Sequence, residues 1–426
     1  MKYNVLLLGS GGREHALAWG ISNSSKLEQL FIAPGNPGTY SLGKNVELNA
    51  SDFEAVWHFI QKNNIHLTVV GPEQPLVEGL ADFLEQKSHS VFGPKKQAAM
   101  LEGSKEFAKD FMKRHNIPTA AYEVFGDDEF DKAAEYIKEK GNYPVVLKAD
   151  GLAGGKGVLI PESEEEALEA LKELKEGSLS DAASRLVIEE FMTGEEASVF
   201  AICDGDNYKV IGNAQDHKRI NEGDTGLNTG GMGAYSPAPI VTKELLEKVE
   251  KEIIEPTVSG MNSEGNPYQG ILYVGLMITE NGPKVVEYNC RFGDPECQVI
   301  VPAMKSDLLE VIIACTEGRL EETDIELDDL YRCTVVMVSG GYPQNYEKGK
   351  EITGLQKVNN GIVFHAGTKL ENGKLLTNGG RVLNIVGEGS TLQEAIDNSY
   401  AQVEKISFEK SFYRRDIGAK GLKRLA

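Results

Sequence analysis

Three short apolar runs punctuate the first hundred residues, "NVLLLG", "LFIAPG" and "LTVVGP", each closed by Gly or Pro. Amphipathic stretches separate them, so the pattern predicts helices from about Glu14, over Phe53–Lys62 and over residues 76–86. Strand, helix, strand with tight loops implies a parallel, doubly wound sheet. Ligands of such sheets bind beyond the carboxyl ends of the strands, where "GSGGREHA", "APGNPGT" and "GPEQPL" fall. Gly9 and Gly11 begin a G-x-G-x-x-G pattern, but its third position is Glu14. The second strand also ends without a carboxylate for a ribose hydroxyl, which disfavours a dinucleotide. What remains is a helix N-terminus at Gly11, Gly12 and Arg13, suited to a single phosphate group.

The pattern then changes. A helix in "GSKEFAKDFMKRHNIPTA" is followed by another over residues 128–140, a glycine-rich hairpin, a Glu-rich helix over residues 163–175 and the strand "RLVIEEFM". Beyond residue 195 come longer strands. "EEASVFAICDG" turns into "YKVIGNAQDH", and "GILYVGLMI" turns through "TENG" into "PKVVEYN". The polar, glycine-rich stretch between these pairs reads as a binding loop. The last hundred residues read as a small sheet closed by a helix over residues 391–406. The expected fold is α/β (α+β overall) in four units: 1–103, a doubly wound parallel sheet; 104–194, a small lobe; 195–328, a larger lobe; and 329–426, a β-rich domain.

Charge narrows the partners. With 44 Lys plus Arg against 65 Asp plus Glu, the net charge is -21, which opposes a broad phosphate-backbone footprint and so nucleic acid. The N-terminus lacks a signal-peptide pattern and no stretch approaches a membrane span, so a cytoplasmic protein is expected. Five cysteines without a C-x-x-C, and histidines without a metal-binding spacing, read as reduced thiols and ordinary side chains.

Two stretches carry chemistry. In "VVLKADGLAGGKGVLI" the glycines occupy a hairpin bend between two cations, Lys148 and Lys156. Bare amides beside fixed positive charge suit a polyphosphate, although a plain turn shares the glycine content and the stretch is not a Walker A loop. In "VVEYNCRFGDPE", Glu287 and Asn289 share one strand face. One carboxylate and one amide oxygen suit Mg²⁺. Arg291 continues the alternation and could grip a small carboxylate, and Asp294 could accept from an ammonium. Polyphosphate, metal and a cationic seat for an acid are the equipment for making an acyl phosphate that an amine attacks.

These motifs, together with "EEFMTGEEASV", "QDHKR", "NTGGMGAYSP", "TNGGRVL" and "YRRDIG", identify the chain as resembling the ATP-grasp ligases, and within them the phosphoribosylamine–glycine ligase family, over essentially its full length. The resemblance implies ATP-dependent joining of glycine to phosphoribosylamine through glycyl phosphate, in purine biosynthesis. It implies ATP and Mg²⁺ (or Mn²⁺) and small-molecule partners only; on oligomeric state the sequence is silent, and a monomer is one possibility. It assigns Lys105 and Lys148 to ATP, Gly154 and Gly155 to a closing loop, and Glu189, Glu190, Met192 and Glu196 to adenine and ribose. Glu287 and Asn289 become metal ligands. Arg291, Gly293 and Asp294, with Gly230, Gly231 and Met232, fall where glycine should bind. Gly11, Gly12, Arg13, Asn36, Glu73, Asp216 and Lys218 would hold the phosphoribosyl part. Lys148, Arg291 and Asp294 are the expected catalytic residues.

Gly154 stands where the family pattern has alanine, Leu227 where it has proline and Cys297 where threonine is expected. Other readings stay open: another ATP-grasp carboxylate–amine ligase or carboxylase, or an ATP-binding sensor without turnover.

Overall fold

The computed structural model describes residues 1–152, 157–176 and 185–426. The first unit is an all-parallel sheet of β1 (Tyr3–Gly9), β2 (Leu27–Pro34), β3 (Lys44–Asn45), β4 (Leu67–Val70) and β5 (Ser90–Phe92), in the order β3-β2-β1-β4-β5. The central strand is buried on both faces. Val5 and Leu7 enter one core and Leu6 and Leu8 the other, which is why "NVLLLG" shows no polar alternation. The helix Phe53–Lys62 has the expected bounds. The helix expected over residues 76–86 is instead two, Glu73–Glu78 and Leu80–Glu85, because Gly79 adopts φ +103° and a left-handed residue breaks the helical ladder.

The small lobe is an antiparallel sheet of β6 (Tyr122–Gly126), β7 (Val145–Ala149), β8 (Val158–Leu159) and β9 (Arg185–Glu190), ordered β6-β9-β7-β8. The Glu-rich helix Glu164–Glu176 buries Ala167, Leu171 and Leu174 at helical spacing against Phe130, Ala133 and Ile137 of the neighbouring helix.

A single eight-stranded sheet organises most of the remainder. β10 (Glu195–Gly205) and β11 (Tyr208–Asp216) are followed by a small outlying hairpin, β12 (Arg219–Asn221) and β13 (Thr225–Asn228), and then by β14 (Gly233–Ser236). β15 (Tyr268–Thr279) pairs with β16 (Gly282–Asn289). The C-terminal strands are β17 (Tyr331–Val338), β18 (Ile362–His365), an outlying hairpin of β19 (Thr368–Glu371) and β20 (Lys374–Thr377), and β21 (Arg381–Gly389). The sheet runs β16-β15-β10-β11-β14-β17-β21-β18, so the strands after residue 329 extend the sheet that begins at β10. Its joint, β14, lies inside the stretch read as a polar loop. Ala234 and Tyr235 are fully buried there, and Gly233 lets the backbone of β17 approach, since a Cβ would stand 2.6 Å from Thr334 O.

Among the described residues, no helix is long and apolar enough to cross a membrane. All five cysteines are free and buried.

Candidate active site

β16 brings its last residues beside the small lobe, where Lys148 Nζ of β7 donates to Val286 O at 3.3 Å. Tyr288 turns into the core, while Glu287 is exposed and Asn289 half-buried on the opposite face, as strand alternation requires. The β15 register slips between Gly275 and Leu276, immediately before Gly275 meets Glu287. No cluster of three or more His, Cys, Asp or Glu forms a closed metal cage among the described residues. Two hard oxygen donors with an open remainder fit Mg²⁺, which keeps water and phosphate in its shell.

Lys148, on β7, meets Glu189 on neighbouring β9: Nζ lies 2.8 Å from Oε1. Lys109, which sequence reasoning missed, takes the other oxygen at 2.9 Å and donates to Thr119 Oγ1 at 2.8 Å. Lys109 lies one helical turn beyond Lys105 in the helix Lys105–Arg114, and that i,i+4 spacing is the signal that could have found it. Burial opposes charge on Lys109 and Glu189. It draws Lys109 down to about 8, whereas Lys148 and Lys109 outweigh it at Glu189, whose pKa is lowered.

Lys105 opens its helix behind the N-cap Ser104. Asp150, just beyond β7, accepts from Lys105 N at 2.6 Å and from Ser104 Oγ at 3.0 Å, and Lys105 Nζ donates to Gly151 O at 2.7 Å. Both lysines therefore stand at the base of the glycine loop. Gly154, Gly155 and Lys156 lie outside the described residues. Glu190 accepts from Ala121 N and Lys284 Nζ, and Met192 is half-buried beyond it.

Glu196 pairs with Lys218 at 2.6 Å. Burial raises Asp216, and although it opposes the Lys218 charge, Glu196 and Asp216 outweigh it and hold Lys218 well above its ordinary value.

Arg291 is already held by two carboxylates. Nε donates to Glu73 at 3.1 Å and Nη2 to Glu102, another residue missed from sequence, at 2.7 Å. Asp294 accepts from Gln298 Nε2 at 2.7 Å and pairs with Arg381 at 3.2 Å. At Gly293 a Cβ would stand 2.4 Å from the Glu296 carboxylate, which folds over it.

The N-terminal loop differs from the simple anion seat expected. Glu14, which replaces the third glycine, accepts from Gly11 N at 2.6 Å and from Arg13 Nε, so the protein's own carboxylate fills that amide. Arg13 also donates to Phe292 O and stands 3.8 Å from Glu73. Gly12 packs where a Cβ would strike Asn384 and Gln298. Asn36 is buried, donating to Ser10 O and His365 O and accepting from Gly38 N.

Gly230 and Gly231 border the site, and Gly231 (φ +113°) sits against Pro295. The Met232 side chain is fully buried in the core packed against the C-terminal strands, so only its backbone faces the Gly230–Gly231 turn. Of the departures, Cys297 is buried with Sγ 3.7 Å from Arg13 O, and Leu227 is exposed on β13. The structure thus brings together Lys105, Lys148, Glu189, Glu196, Asp216, Lys218, Glu287, Asn289, Arg291 and Asp294 around the end of β16, with electrostatic coupling running through them.

Three family models match the chain in succession: phosphoribosylglycinamide synthetase N domain over residues 3–102, its ATP-grasp (A) domain over 103–297 and its C domain over 332–420. The phosphoribosylamine–glycine ligase of Chlorobaculum tepidum is 51% identical over 425 residues, covering 98% of this chain and 100% of the relative. That of Mesorhizobium japonicum is 53% identical, covering 97% of each. The crystal structure of the Thermotoga maritima phosphoribosylamine–glycine ligase superposes with a TM-score of 0.84 at 38% identity, covering 97% of this chain and 100% of that one. A biotin carboxylase from Campylobacter jejuni shares the fold at a TM-score of 0.73 and 15% identity, covering 99% of each chain.

Proposed function

Because the chain belongs to the phosphoribosylglycinamide synthetase family, we infer that the cleft at the end of β16 joins glycine to 5-phosphoribosylamine with ATP. The observation carrying this reading is the placement of Glu287 and Asn289 between two lysines at the loop base and the Arg291–Asp294 turn.

A glycine carboxylate oxygen attacks the γ-phosphorus of ATP, the bond to ADP breaks, and glycyl phosphate forms. The amine nitrogen of phosphoribosylamine then attacks the acyl carbon, phosphate leaves, and the nitrogen gives up a proton. Lys105 and Lys148 neutralise charge on the phosphoryl oxygens, which is most of what a protein contributes to such a transfer. A divalent cation, Mg²⁺ or Mn²⁺, held by Glu287 and Asn289 would add charge neutralisation at the phosphates. Arg291 has five N–H donors, of which three are engaged by Glu73, Glu102 and Phe292 O, leaving two for the glycine carboxylate. Asp294 accepts from the glycine ammonium beside Gly230, Gly231 and Gly293. The backbone around Glu189, Glu190 and Met192 faces adenine, with Glu196 near the ribose. Asp216, Lys218, Arg13 and Glu73 face the phosphoribosyl part, in a cleft that Gly11, Gly12 and Asn36 shape. Gly154 and Gly155 belong to the covering loop. A monomer in the cytoplasm suits this small-molecule chemistry.

The test is phosphate release from ATP with Mg²⁺, glycine and freshly generated phosphoribosylamine, each omitted in turn. Release that requires both, with the amide product found by mass, is expected. Release with a different acid or amine would discard the substrates, and bound ATP without release would favour a sensor.

A further inference from the structure

Gly230 is gripped at both of its backbone polar atoms by residues of the C-terminal strands and loops. Its amide donates to Tyr342 Oη at 2.9 Å, and its carbonyl accepts from Arg381 Nη1. The same Nη1 donates to Asp294 O at 2.6 Å, and Nη2 lies 3.2 Å from Asp294 Oδ2. One guanidinium at the start of β21 therefore ties together two segments that are far apart in the chain. Gln298 Nε2 holds the other Asp294 oxygen, so the carboxylate is fixed at both ends yet keeps lone pairs for a further donor.

We infer that Arg381 is a positioning residue for glycine, fixing the Asp294 carboxylate against the Gly230 turn so that an ammonium meets a preset acceptor. This rests on the reading of Asp294 as the ammonium acceptor. It also gives the C-terminal strands a part in the site. The fork geometry matters: an ammonium is a point charge without the rigid donor array that spans a carbonyl pair and a carboxylate together.

The test uses the full chain, with phosphate release measured while each of the three substrates is varied. Wild type is compared with Arg381→Gln, Arg381→Lys, Asp294→Asn, the Arg381→Gln/Asp294→Asn pair and Tyr342→Phe. Arg381→Gln should raise the glycine KM about tenfold or more while the ATP KM stays within about threefold, and Arg381→Lys should recover little of it. The double variant should be no worse than Asp294→Asn within about twofold, because residues acting through one contact are not additive. Tyr342→Phe, which removes one hydroxyl, should raise the glycine KM about two- to fivefold and keeps the test alive if Arg381→Gln does not fold. An unchanged glycine KM in these variants, equal rises for glycine and ATP, or multiplicative effects in the double variant would overturn the inference. A wild-type enzyme that releases phosphate without needing glycine would instead sink the reading beneath it.

Discussion

Lys148 Nζ stands 2.8 Å from Glu189 Oε1, and both side chains are less than a tenth exposed. With Lys109 on the second oxygen, two ammonium groups share one carboxylate in a dry place. Removing one partner of a buried pair costs about 3–5 kcal/mol, because the survivor keeps its charge without compensation. Glu189→Gln strands two like charges and should cost that much, whereas Lys109→Met leaves a neutral pair and should cost less than half. Urea unfolding of both variants measures this, and equal losses would refute the charge arithmetic.

Two buried histidines should contribute an acid-sensitive part of the fold's stability. Burial holds His15 down to about 3 and His217 to about 4. His15 Nδ1 accepts from His365 N at 2.8 Å, and His217 lies among Arg414, Asp224, Lys420 and Asp416, packed on Tyr235. In the unfolded chain both take a proton near 6.5, so between that pH and about 4 the unfolded state binds more protons. The histidines' contribution to stability therefore falls as pH falls through this window, by at most about 1.4 kcal/mol per pH unit for each, against an opposing contribution from Glu296, whose carboxyl burial pushes up to about 7. His217→Gln should flatten the slope of stability against pH, and an unchanged slope would exclude His217 as a contributor.

Arg291→Ala should raise the glycine KM far more than the ATP KM. It also leaves Glu73 and Glu102 without their shared partner, so the unfolding midpoint should drop. Arg291→Lys should restore part of the stability and little of the glycine affinity, because a single ammonium cannot serve two carboxylates and a ligand together. Equal rises in both KM values would remove Arg291 from the glycine site.

What the sequence made legible was whatever a local pattern encodes. Apolar runs mark β1, β2 and β4 because each is buried on both faces, and alternation placed Glu287 and Asn289 on one side of β16. Lysines beside glycines marked the loop base because polyphosphate requires cations and close backbone approach. β14 was hidden: four residues flanked by glycines and a proline carry no periodicity, and its partner β17 lies far along the chain. Glu102 and Arg381 were hidden for the same reason, since each acquires its role only by meeting Arg291 or Asp294 across the fold. The direction of the Met232 side chain was likewise illegible, because a motif of glycines around it says nothing about which way one side chain turns.

Gly233→Ala should destabilise by about 1–3 kcal/mol, the usual range for forcing an extra methyl into a packed place. The added Cβ would face Thr334 O, a backbone atom in a paired strand that cannot rotate aside, with Ile417 also within 2.9 Å. Thermal unfolding checks this, and a neutral outcome would show that the strands part there at little cost.

β14 pairs with β17 at four positions but with β11 at only two, Gln215 with Tyr235 and Asp216 with Ala234. Asp216 therefore belongs to the narrow seam at which the C-terminal strands join the sheet, and Arg381, beyond that seam on β21, reaches back across it to Asp294, so one guanidinium stitches the seam from outside the sheet's own ladder.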